Sequence, residues 1–357
     1  MRTFTGIQSM RGIAALAVVY GHVVSTRAGM GFDHVAAFDA LMILQSGVDI
    51  FFVISGFIIA ITASSLGLAQ GAKGAIEFAV KRFARIYPVY WIVLTAAVIS
   101  SYWISVGPPE FTANLTLDDI LLNTPNNYFV STAWTLYFEV NFYVAMAVVL
   151  LLFPKRVMAV SVCGVLIVAL LTFLPAPLKM AVWSSPLTLE FGFGILIAAV
   201  TQSAGFTRFG PLCLVGAAIA FAAGAYVQIN SQPVSNAMRA ATFGVGAALL
   251  IYATVAAEAR GMKFSRTLQY FGDISYSLYV WHLLILTWLA AAAFKQVPGP
   301  LQMTAWLVVI VAVSAASYEC FERPILSWIK AARKTFTVFP QRPVSIPQQR
   351  PVSAPVP

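Results

Sequence analysis

Apolar runs long enough to cross a membrane recur along most of the chain, separated by short polar stretches. We place them near residues 7–26, 40–62, 86–106, 133–153, 157–174, 184–202, 210–229, 240–257, 270–293 and 301–320. A helix of about 20 apolar residues spans the hydrocarbon core of a bilayer. The pattern therefore predicts an all-α polytopic membrane protein with about ten transmembrane helices.

Lysine and arginine residues are distributed unevenly between the two sets of connecting loops. With a cytoplasmic N-terminus, the side opposite to it holds only Arg27, Lys179, Arg239 and Lys295, and all other basic loop residues are cytoplasmic. Cytoplasmic loops carry an excess of basic residues, so both termini are predicted to be cytoplasmic. The loop 107–132 is the longest on the opposite side, and it could fold back toward the membrane.

The composition agrees with this layout. The chain is 60% hydrophobic and 10% charged, whereas a soluble domain carries about 25% charged residues. The net charge of +9 is accounted for by basic loops, so no nucleic-acid partner is expected. Cys163, Cys213 and Cys320 lie in apolar runs without paired or metal-ligand spacing, and no metal site is predicted.

The character of the chain changes near residue 335. The segment QRPVS occurs at 341–345 and again at 349–353, amid prolines. Such a composition cannot bury a core. We predict a transmembrane domain over residues 1–334 and a Pro-rich, disordered cytoplasmic tail over 335–357, and we expect no appended soluble domain.

The first apolar run contains a cation and an imidazole in the stretch RGIAALAVVYGH. Arg11 and His22 are eleven residues apart, so an α-helix places them on nearly the same face, about 16 Å apart along its axis. Ala15 and Val18 lie between them on that face. Polar groups at this depth face the protein interior or a cavity. Alone, the pair is also compatible with a snorkelling arginine and a histidine that bonds a neighbouring helix.

Further polar side chains interrupt the other predicted helices. Arg82 and Arg85 stand at the cytoplasmic mouth of the third, where they suit phosphate binding or act as ordinary flanking charges. The remaining ones are Asp49 and Ser55 in the second helix, Trp134 and Glu139 in the fourth, Glu190 in the sixth, and Ser275, Tyr279 and His282 in the ninth. Several carboxylates and two histidines in one bundle suggest a functional site.

These residues fall into six motifs in a fixed order. They are Arg11 with His22, FFVISGF at 51–57, Arg82-x-x-Arg85 followed by Tyr87-Pro88, Trp134-Thr135-Leu136 with Glu139, Ser275-Tyr276 with Tyr279 and His282, and Glu322-x-Pro324. On these motifs the chain resembles the acyltransferase-3 family of integral membrane acyltransferases, to about residue 330. Many relatives carry a fused extracytoplasmic hydrolase-like domain. This sequence is similar to the stand-alone branch, which acetylates exopolysaccharides and lipopolysaccharide sugars.

The resemblance implies a multi-pass enzyme of the bacterial inner (cytoplasmic) membrane, embedded in membrane lipid. It would transfer an acyl group, usually acetyl, from cytosolic acyl-CoA to a hydroxyl of an extracytoplasmic glycan or glycolipid. No permanently bound cofactor is expected, because acyl-CoA is a donor substrate. Arg11, Arg82 and Arg85 would bind the phosphate-rich head of the donor, and its arm would run along Ala15 and Val18.

The same resemblance, read with the residue chemistry, assigns catalytic roles. His22 is the expected general base, and Glu139 is the expected carboxylate that orients its imidazole or shapes the pocket. The substrate pocket would be lined by Asp49, Ser55, Trp134, Tyr279 and His282. Direct transfer and a covalent acyl-enzyme are both compatible with these residues.

Two other classes of function fit parts of the pattern. A transporter or flippase for a glycan, lipid or acyl group would also place charges inside a ten-helix bundle. A membrane scaffold without chemistry is a third alternative. Acyl transfer by detergent-solubilised protein distinguishes the enzyme, because a transporter needs two compartments.

Overall fold

The computed structural model describes residues 4–28, 39, 41–103, 115–126, 129–175, 181–231, 233–292 and 299–336. Helices contain most of these residues, and none of the described residues is in a β-strand. The α-helices are α1 Thr5–Ala28, α2 Ser46–Gln70, α3 Gly74–Trp103, α4 Leu117–Leu121, α5 Ala133–Leu152, α6 Val157–Thr172, α7 Thr188–Val200, α8 Gly210–Asn230, α9 Asn236–Arg239, α10 Val245–Ala259, α11 Arg266–Asp273, α12 Ser275–Ala291, α13 Gly299–Ser317 and α14 Arg323–Phe336. Two π-helical turns, Ala240–Gly244 and Tyr318–Glu322, continue α9 into α10 and α13 into α14.

Each predicted apolar run contains a helix, which confirms the all-α prediction. Six helical stretches of the described chain are long and apolar enough to cross a membrane, namely Thr5–Arg27, Leu41–Tyr102, Ala133–Leu152, Phe206–Asn230, Asn236–Ala259 and Gly299–Ile329. The second of these contains both α2 and α3, and α11 with α12 would form a seventh span bent by 63°. At 1.5 Å per residue α6 and α7 reach only about 24 and 20 Å. Ten spans and cytoplasmic termini therefore stay predictions.

Helix α2 is the centre of the bundle and contacts α1, α3, α5, α6, α7 and α10. Its closest neighbour is α7, because glycines on both helices let the backbones touch. A Cβ atom on Gly56 would lie 2.0 Å from the Phe191 carbonyl oxygen, and one on Gly194 would lie 2.1 Å from the Val53 carbonyl oxygen. The glycine in the FFVISGF motif is thus a site of close backbone approach.

The start of α1 is held by the last turns of α10. Glu258 accepts hydrogen bonds from the backbone N–H groups of Thr5 and Gly6, at 2.8 and 2.9 Å, and from the Thr5 hydroxyl. The carboxylate satisfies N–H groups that have no partner within a helix, and it complements the helix dipole. This contact anchors the N-terminal end of the helix that carries Arg11 and His22.

Part of the long segment after α3 folds back along that helix. The carbonyls of Asp119, Ile120 and Leu121 accept hydrogen bonds from Tyr90, Trp91 and Tyr87, which lie in the middle of the 30-residue helix α3. The three donors satisfy carbonyls that the end of short helix α4 leaves unpaired. Leu122 follows in the left-handed conformation, with φ of 54°, and ends α4.

The C-terminal end of the described chain is helical. Helix α14 runs to Phe336, so it includes the first two residues of the predicted tail. Residues 337–357 lie outside the described residues, and the tail stays a prediction.

Candidate active site

Two polar residues of α1 contact two polar residues of α12. The Arg11 Nη2 atom donates to the Ser275 hydroxyl at 2.9 Å, and the His22 ring lies edge-on to the His282 ring with centroids 4.9 Å apart. Arg11 and His22 therefore share one face of α1, as their spacing predicts. The two contacts are seven residues apart on α12, which is about 10 Å along its axis.

The hydrogen bonds of His22 define its tautomer. Its Nδ1 atom lies 2.9 Å from the Val18 carbonyl oxygen, and its Nε2 atom lies 3.4 Å from the amide nitrogen of Gln45. A carbonyl only accepts, so the Nδ1 atom carries the hydrogen and the Nε2 atom of the neutral ring presents a lone pair. That lone pair is what a general base requires.

Glu139 does not hold the imidazole in place. Its carboxylate accepts hydrogen bonds from the Ser55 hydroxyl, at 3.1 Å, and from the Tyr143 hydroxyl. The orienting role expected of Glu139 falls to the Val18 carbonyl, because both nitrogens of His22 have other partners. Glu139 lies five residues further along α5 than Trp134 and belongs to the surroundings of the arginines.

His282 repeats the arrangement of His22 and is fully buried. Its Nδ1 atom lies 2.7 Å from the Tyr279 carbonyl oxygen and 3.2 Å from that of Leu278, so it also carries its hydrogen there. Its Nε2 atom has no hydrogen-bond partner among the described residues. The Nε2 lone pair of His22 thus faces the Gln45 amide, whereas that of His282 is a buried acceptor without a partner among the described residues, which suits a ligand that donates a hydrogen bond.

The two histidines line one small cavity of about 30 Å³, which is enough for a water molecule or a hydroxyl group. Its wall consists of Val18, His22, Gln45, Val48, Ser131, Thr132, Trp134, Tyr279, His282 and Leu283. Of the predicted pocket residues, Trp134, Tyr279 and His282 line the cavity. Asp49 and Ser55 do not, because Asp49 pairs with Arg239 and Ser55 bonds Glu139.

Tyr279 is held in place by a hydrogen bond to α5. Its hydroxyl lies 2.8 Å from the Thr135 hydroxyl, which also bonds the Thr132 carbonyl at 3.1 Å. The carbonyl can only accept, so Thr135 donates to Thr132 and accepts from Tyr279. The contact joins the two helices that carry the Trp134 and His282 motifs.

The three predicted arginines lie close together, nearer the start of α1. The guanidinium of Arg82 covers the rings of Phe78 and Tyr143, at 5.4 and 5.5 Å, and no carboxylate of the described chain lies within ion-pair distance of it. Arg85 pairs with Glu322, and the charges of Arg85, Glu139 and Glu322 all act on Arg11.

The net positive charge of this arginine group suits the binding of an anion. Three arginines face the carboxylates of Glu139 and Glu322, so one positive charge is uncompensated within the group. The Nε atom of Arg82 and the Nη2 atom of Arg85 are buried without a hydrogen-bond partner among the described residues. Buried, unpaired guanidinium N–H groups are the donors that phosphate oxygens accept from.

The histidines and the arginines are separated by a packed helix face. Ala15 and Val18 lie between Arg11 and His22 on α1, and they are 0% and 1% exposed. The expected path of a donor arm along this face is therefore closed by neighbouring helices. Such an arm would need those helices to separate.

Three residues of the site were missed by sequence reasoning. Glu322 was noted only as part of a closing motif, yet it is buried and accepts hydrogen bonds from Arg85 and from the Ser277 hydroxyl. Arg239 falls in a predicted loop, and no sequence pattern singles out Gln45. The available signal was weak: a glutamate at the end of an apolar run, and an arginine at the start of one.

Comparison with known proteins places the chain among acyltransferases. A family model described as an acyltransferase domain matches residues 4–319. The exopolysaccharide production protein ExoZ of Rhizobium meliloti (strain 1021) is 28% identical over 311 residues, which cover 81% of this chain and 92% of that protein.

Two further relatives match shorter parts of the chain. The peptidoglycan O-acetyltransferase OatA of Listeria monocytogenes is 28% identical over 141 residues, 38% of this chain and 19% of that protein. Protein 2 in the picA locus of Rhizobium radiobacter is 29% identical over 159 residues, 38% of this chain and 76% of that protein. No solved structure matches the chain.

Proposed function

The chain belongs to the acyltransferase domain family, and on this premise we propose that it is an O-acyltransferase of the bacterial inner membrane. It would move an acyl group, usually acetyl, from cytosolic acyl-CoA to a hydroxyl of an extracytoplasmic glycan or glycolipid. The observation that carries this proposal is the pair of imidazoles, His22 and His282, whose Nε2 lone pairs are held at one cavity. The names of two relatives, which refer to exopolysaccharide production and to peptidoglycan O-acetylation, support a glycan acceptor.

In the proposed reaction His22 acts as the general base. The acceptor hydroxyl replaces the Gln45 amide at the Nε2 atom and gives its proton to that atom as its oxygen attacks the thioester carbonyl. The carbon–sulfur bond then breaks, the ester forms, and the proton passes from the imidazolium to the sulfur, which leaves as a thiol. The Val18 carbonyl accepts from Nδ1–H throughout and stabilises the imidazolium. A positioned base of this kind contributes about 10²–10⁴ in rate.

His282 has a second role in this proposal. An acceptor hydroxyl has one proton, which His22 takes, so His282 is available to a neighbouring hydroxyl of the same sugar. A hydrogen bond from that hydroxyl to the Nε2 atom would satisfy the buried acceptor and orient the sugar. His282 thereby favours an acceptor with adjacent hydroxyl groups.

The arginines would bind the donor. Arg82 and Arg11 would donate charge-assisted hydrogen bonds to phosphate oxygens of acyl-CoA. Arg85 would also donate to a phosphate, but its ion pair with Glu322 limits how far its guanidinium can turn toward a ligand. In this proposal the acyl-CoA head would lie near the start of α1 and the thioester near its end.

The test is acyl transfer by purified protein in detergent, with acetyl-CoA and a short glycan, followed by mass spectrometry of the glycan. The informative variant is His22→Asn, because the asparagine amide places an N–H near the position of Nδ1–H but removes the Nε2 lone pair. We expect turnover to fall by about 10²-fold or more while acetyl-CoA binding is retained.

The control is His34→Asn, which removes a histidine outside the described residues and is expected to leave turnover unchanged. Near-normal turnover of His22→Asn would show that His22 is not the base and would make His282 the next candidate. Absence of any acylated glycan with the wild-type protein would favour a transporter or flippase, since detergent solution has a single compartment.

A further inference from the structure

A third group of charged residues lies beside the histidine cavity, and the proposed reaction does not use it. It consists of Asp49, Glu190 and Arg239, which we call the Arg239 cluster. The Nε and Nη2 atoms of Arg239 donate to the two carboxylate oxygens of Asp49, at 3.0 and 2.8 Å. Asp49 and Glu190 are both 0% exposed.

Within the described part of the chain, no group donates a hydrogen bond to the Glu190 carboxylate. Neither of its oxygens has a hydrogen-bond partner among the described residues, although it lies beside Asp49. Gly244, in the π-helical turn after Arg239, packs against it so closely that a Cβ atom there would lie 3.0 Å from Oε1.

The charge balance indicates the protonation state of Glu190. If both acids were ionised, two fully buried negative charges would face one guanidinium, and the second would have no hydrogen bond within the described part of the chain. Burial of such a charge is very costly, and the group takes up a proton instead. A protonated Glu190 is neutral, and its hydroxyl becomes a donor to the Asp49 carboxylate.

The cluster is connected to His22 through Gln45. The Nη2 atom of Arg239 also donates to the Gln45 carbonyl, at 3.0 Å. Gln45 lies at the turn just before α2, and its side-chain amide nitrogen is 3.4 Å from the Nε2 atom of His22. The guanidinium thus holds the backbone of the residue whose side chain touches the catalytic nitrogen.

We propose that Arg239 is a positioning residue for acyl transfer, and that Glu190 supports it as a neutral acid. Glu190 donates to Asp49, Asp49 holds the guanidinium in its bidentate geometry, and the guanidinium sets Gln45 against His22. The amide of Gln45 keeps the imidazole edge turned toward the cavity. The catalytic part of this inference rests on the proposed function, because it takes His22 as the base.

The proton on Glu190 is tested without turnover, by infrared spectroscopy of the wild-type protein and of Glu190→Gln. We expect a carbonyl band of a protonated carboxylic acid in the wild type that is lost in Glu190→Gln. It should persist in the control Glu319→Gln, which removes an exposed carboxylate paired with Arg323. A band that survives in Glu190→Gln, or is absent from the wild type, overturns the neutral-acid assignment.

The coupling to His22 is tested by nitrogen NMR of protein labelled with ¹⁵N-histidine, which contains three histidines. The charge-neutral double variant Asp49→Asn with Arg239→Gln should shift the ring signals of His22, assigned with His22→Asn, and leave those of His34 in place. Glu190→Gln should leave the His22 signals nearly unchanged. Unchanged His22 signals in a folded double variant overturn the positioning role.

Kinetics give the catalytic readout. The double variant and Gln45→Ala should each lower kcat by about tenfold, with the donor KM within about twofold of the wild type. When the double variant is combined with Gln45→Ala, kcat should fall little further than with Gln45→Ala alone, because all three substitutions act through the contact between Gln45 and His22. Fully multiplicative losses would contradict action through Gln45. If the wild type acylates no glycan, the proposed function fails. The NMR result still decides whether Arg239 positions His22, and the infrared result still decides whether Glu190 carries a proton.

Discussion

The contrast between Arg82 and Arg85 yields the sharpest prediction about the donor. The guanidinium of Arg82 lies over two aromatic rings without a carboxylate partner among the described residues, and its Nε atom is buried and unpaired. Arg85 instead forms an ion pair with Glu322, which is 1% exposed. Arg82→Ala should therefore impair donor binding, whereas Arg85→Ala should impair folding.

The two magnitudes follow from these environments. A hydrogen bond to a charged group contributes about 1.5–3 kcal/mol, so loss of a phosphate contact at Arg82 should raise the donor KM by about 10–150-fold. Arg82→Ala should lose less stability than Arg85→Ala, since a cation–π contact contributes about 0.5–1 kcal/mol at an exposed site and about 2 kcal/mol at a desolvated one. Arg85→Ala leaves the buried carboxylate of Glu322 without its ion pair and with the Ser277 hydroxyl as a remaining donor, and breaking such a buried pair costs about 3–5 kcal/mol.

The assay compares two donors that share the thioester arm. Initial rates are measured with acetyl-CoA and with acetyl-pantetheine, which lacks the phosphates and the nucleotide. Arg82→Ala should raise the KM for acetyl-CoA and leave that for acetyl-pantetheine nearly unchanged. Thermal unfolding of the same preparations reports stability. Adding Glu322→Gln to Arg85→Ala should restore part of the stability that Arg85→Ala loses, because no buried carboxylate is then left without its ion pair.

Two results would refute this reasoning. An equal rise of KM with both donors would mean that Arg82 acts through the fold and not through a phosphate. An unchanged KM for acetyl-CoA would mean that its guanidinium only packs on Phe78 and Tyr143, as an ordinary basic residue at the end of a membrane helix.

Three further predictions concern the fold and its orientation. Gly56→Ala should destabilise the protein by about 1–3 kcal/mol, because the added methyl meets the Phe191 carbonyl. The control is Gly164→Ala, because nothing lies within 4 Å of a Cβ atom at that position. Equal thermal unfolding temperatures of the two variants would contradict the close contact between α2 and α7. Reporter fusions at both termini should show cytoplasmic activity, and periplasmic activity at the C-terminus would refute the ten-span layout. Removal of residues 340–357 should leave acyl transfer intact, and lost activity at normal expression would assign the tail a role.

Several features of this protein could be predicted from sequence because they depend on local geometry. Apolar runs of spanning length predict membrane helices, since backbone groups in lipid must be bonded within their own segment. The shared face of Arg11 and His22 follows from the 100° that each residue advances in a helix. The order of the motifs indicated the acyltransferase family, which the family comparison confirms.

The partners of the polar side chains could not be predicted in this way. Glu139 was expected at His22 and instead bonds Ser55 and Tyr143, because depth along α5 and the packing of α2 decide what it reaches. Asp49 was expected in the substrate pocket and instead pairs with Arg239, which is 190 residues away in the chain. No local pattern encodes such a distance.

The sequence by itself therefore determined the all-helical membrane class and which residues share a helix face, because both follow from hydrophobic periodicity within single segments. Only the tertiary structure decided that His22 meets His282, that a backbone carbonyl sets each histidine tautomer, and that Arg85, not Arg82, forms an ion pair with Glu322. Hydrogen bonds and ion pairs act over about 3–4 Å. Which groups come that close depends on how helices distant in sequence pack against one another.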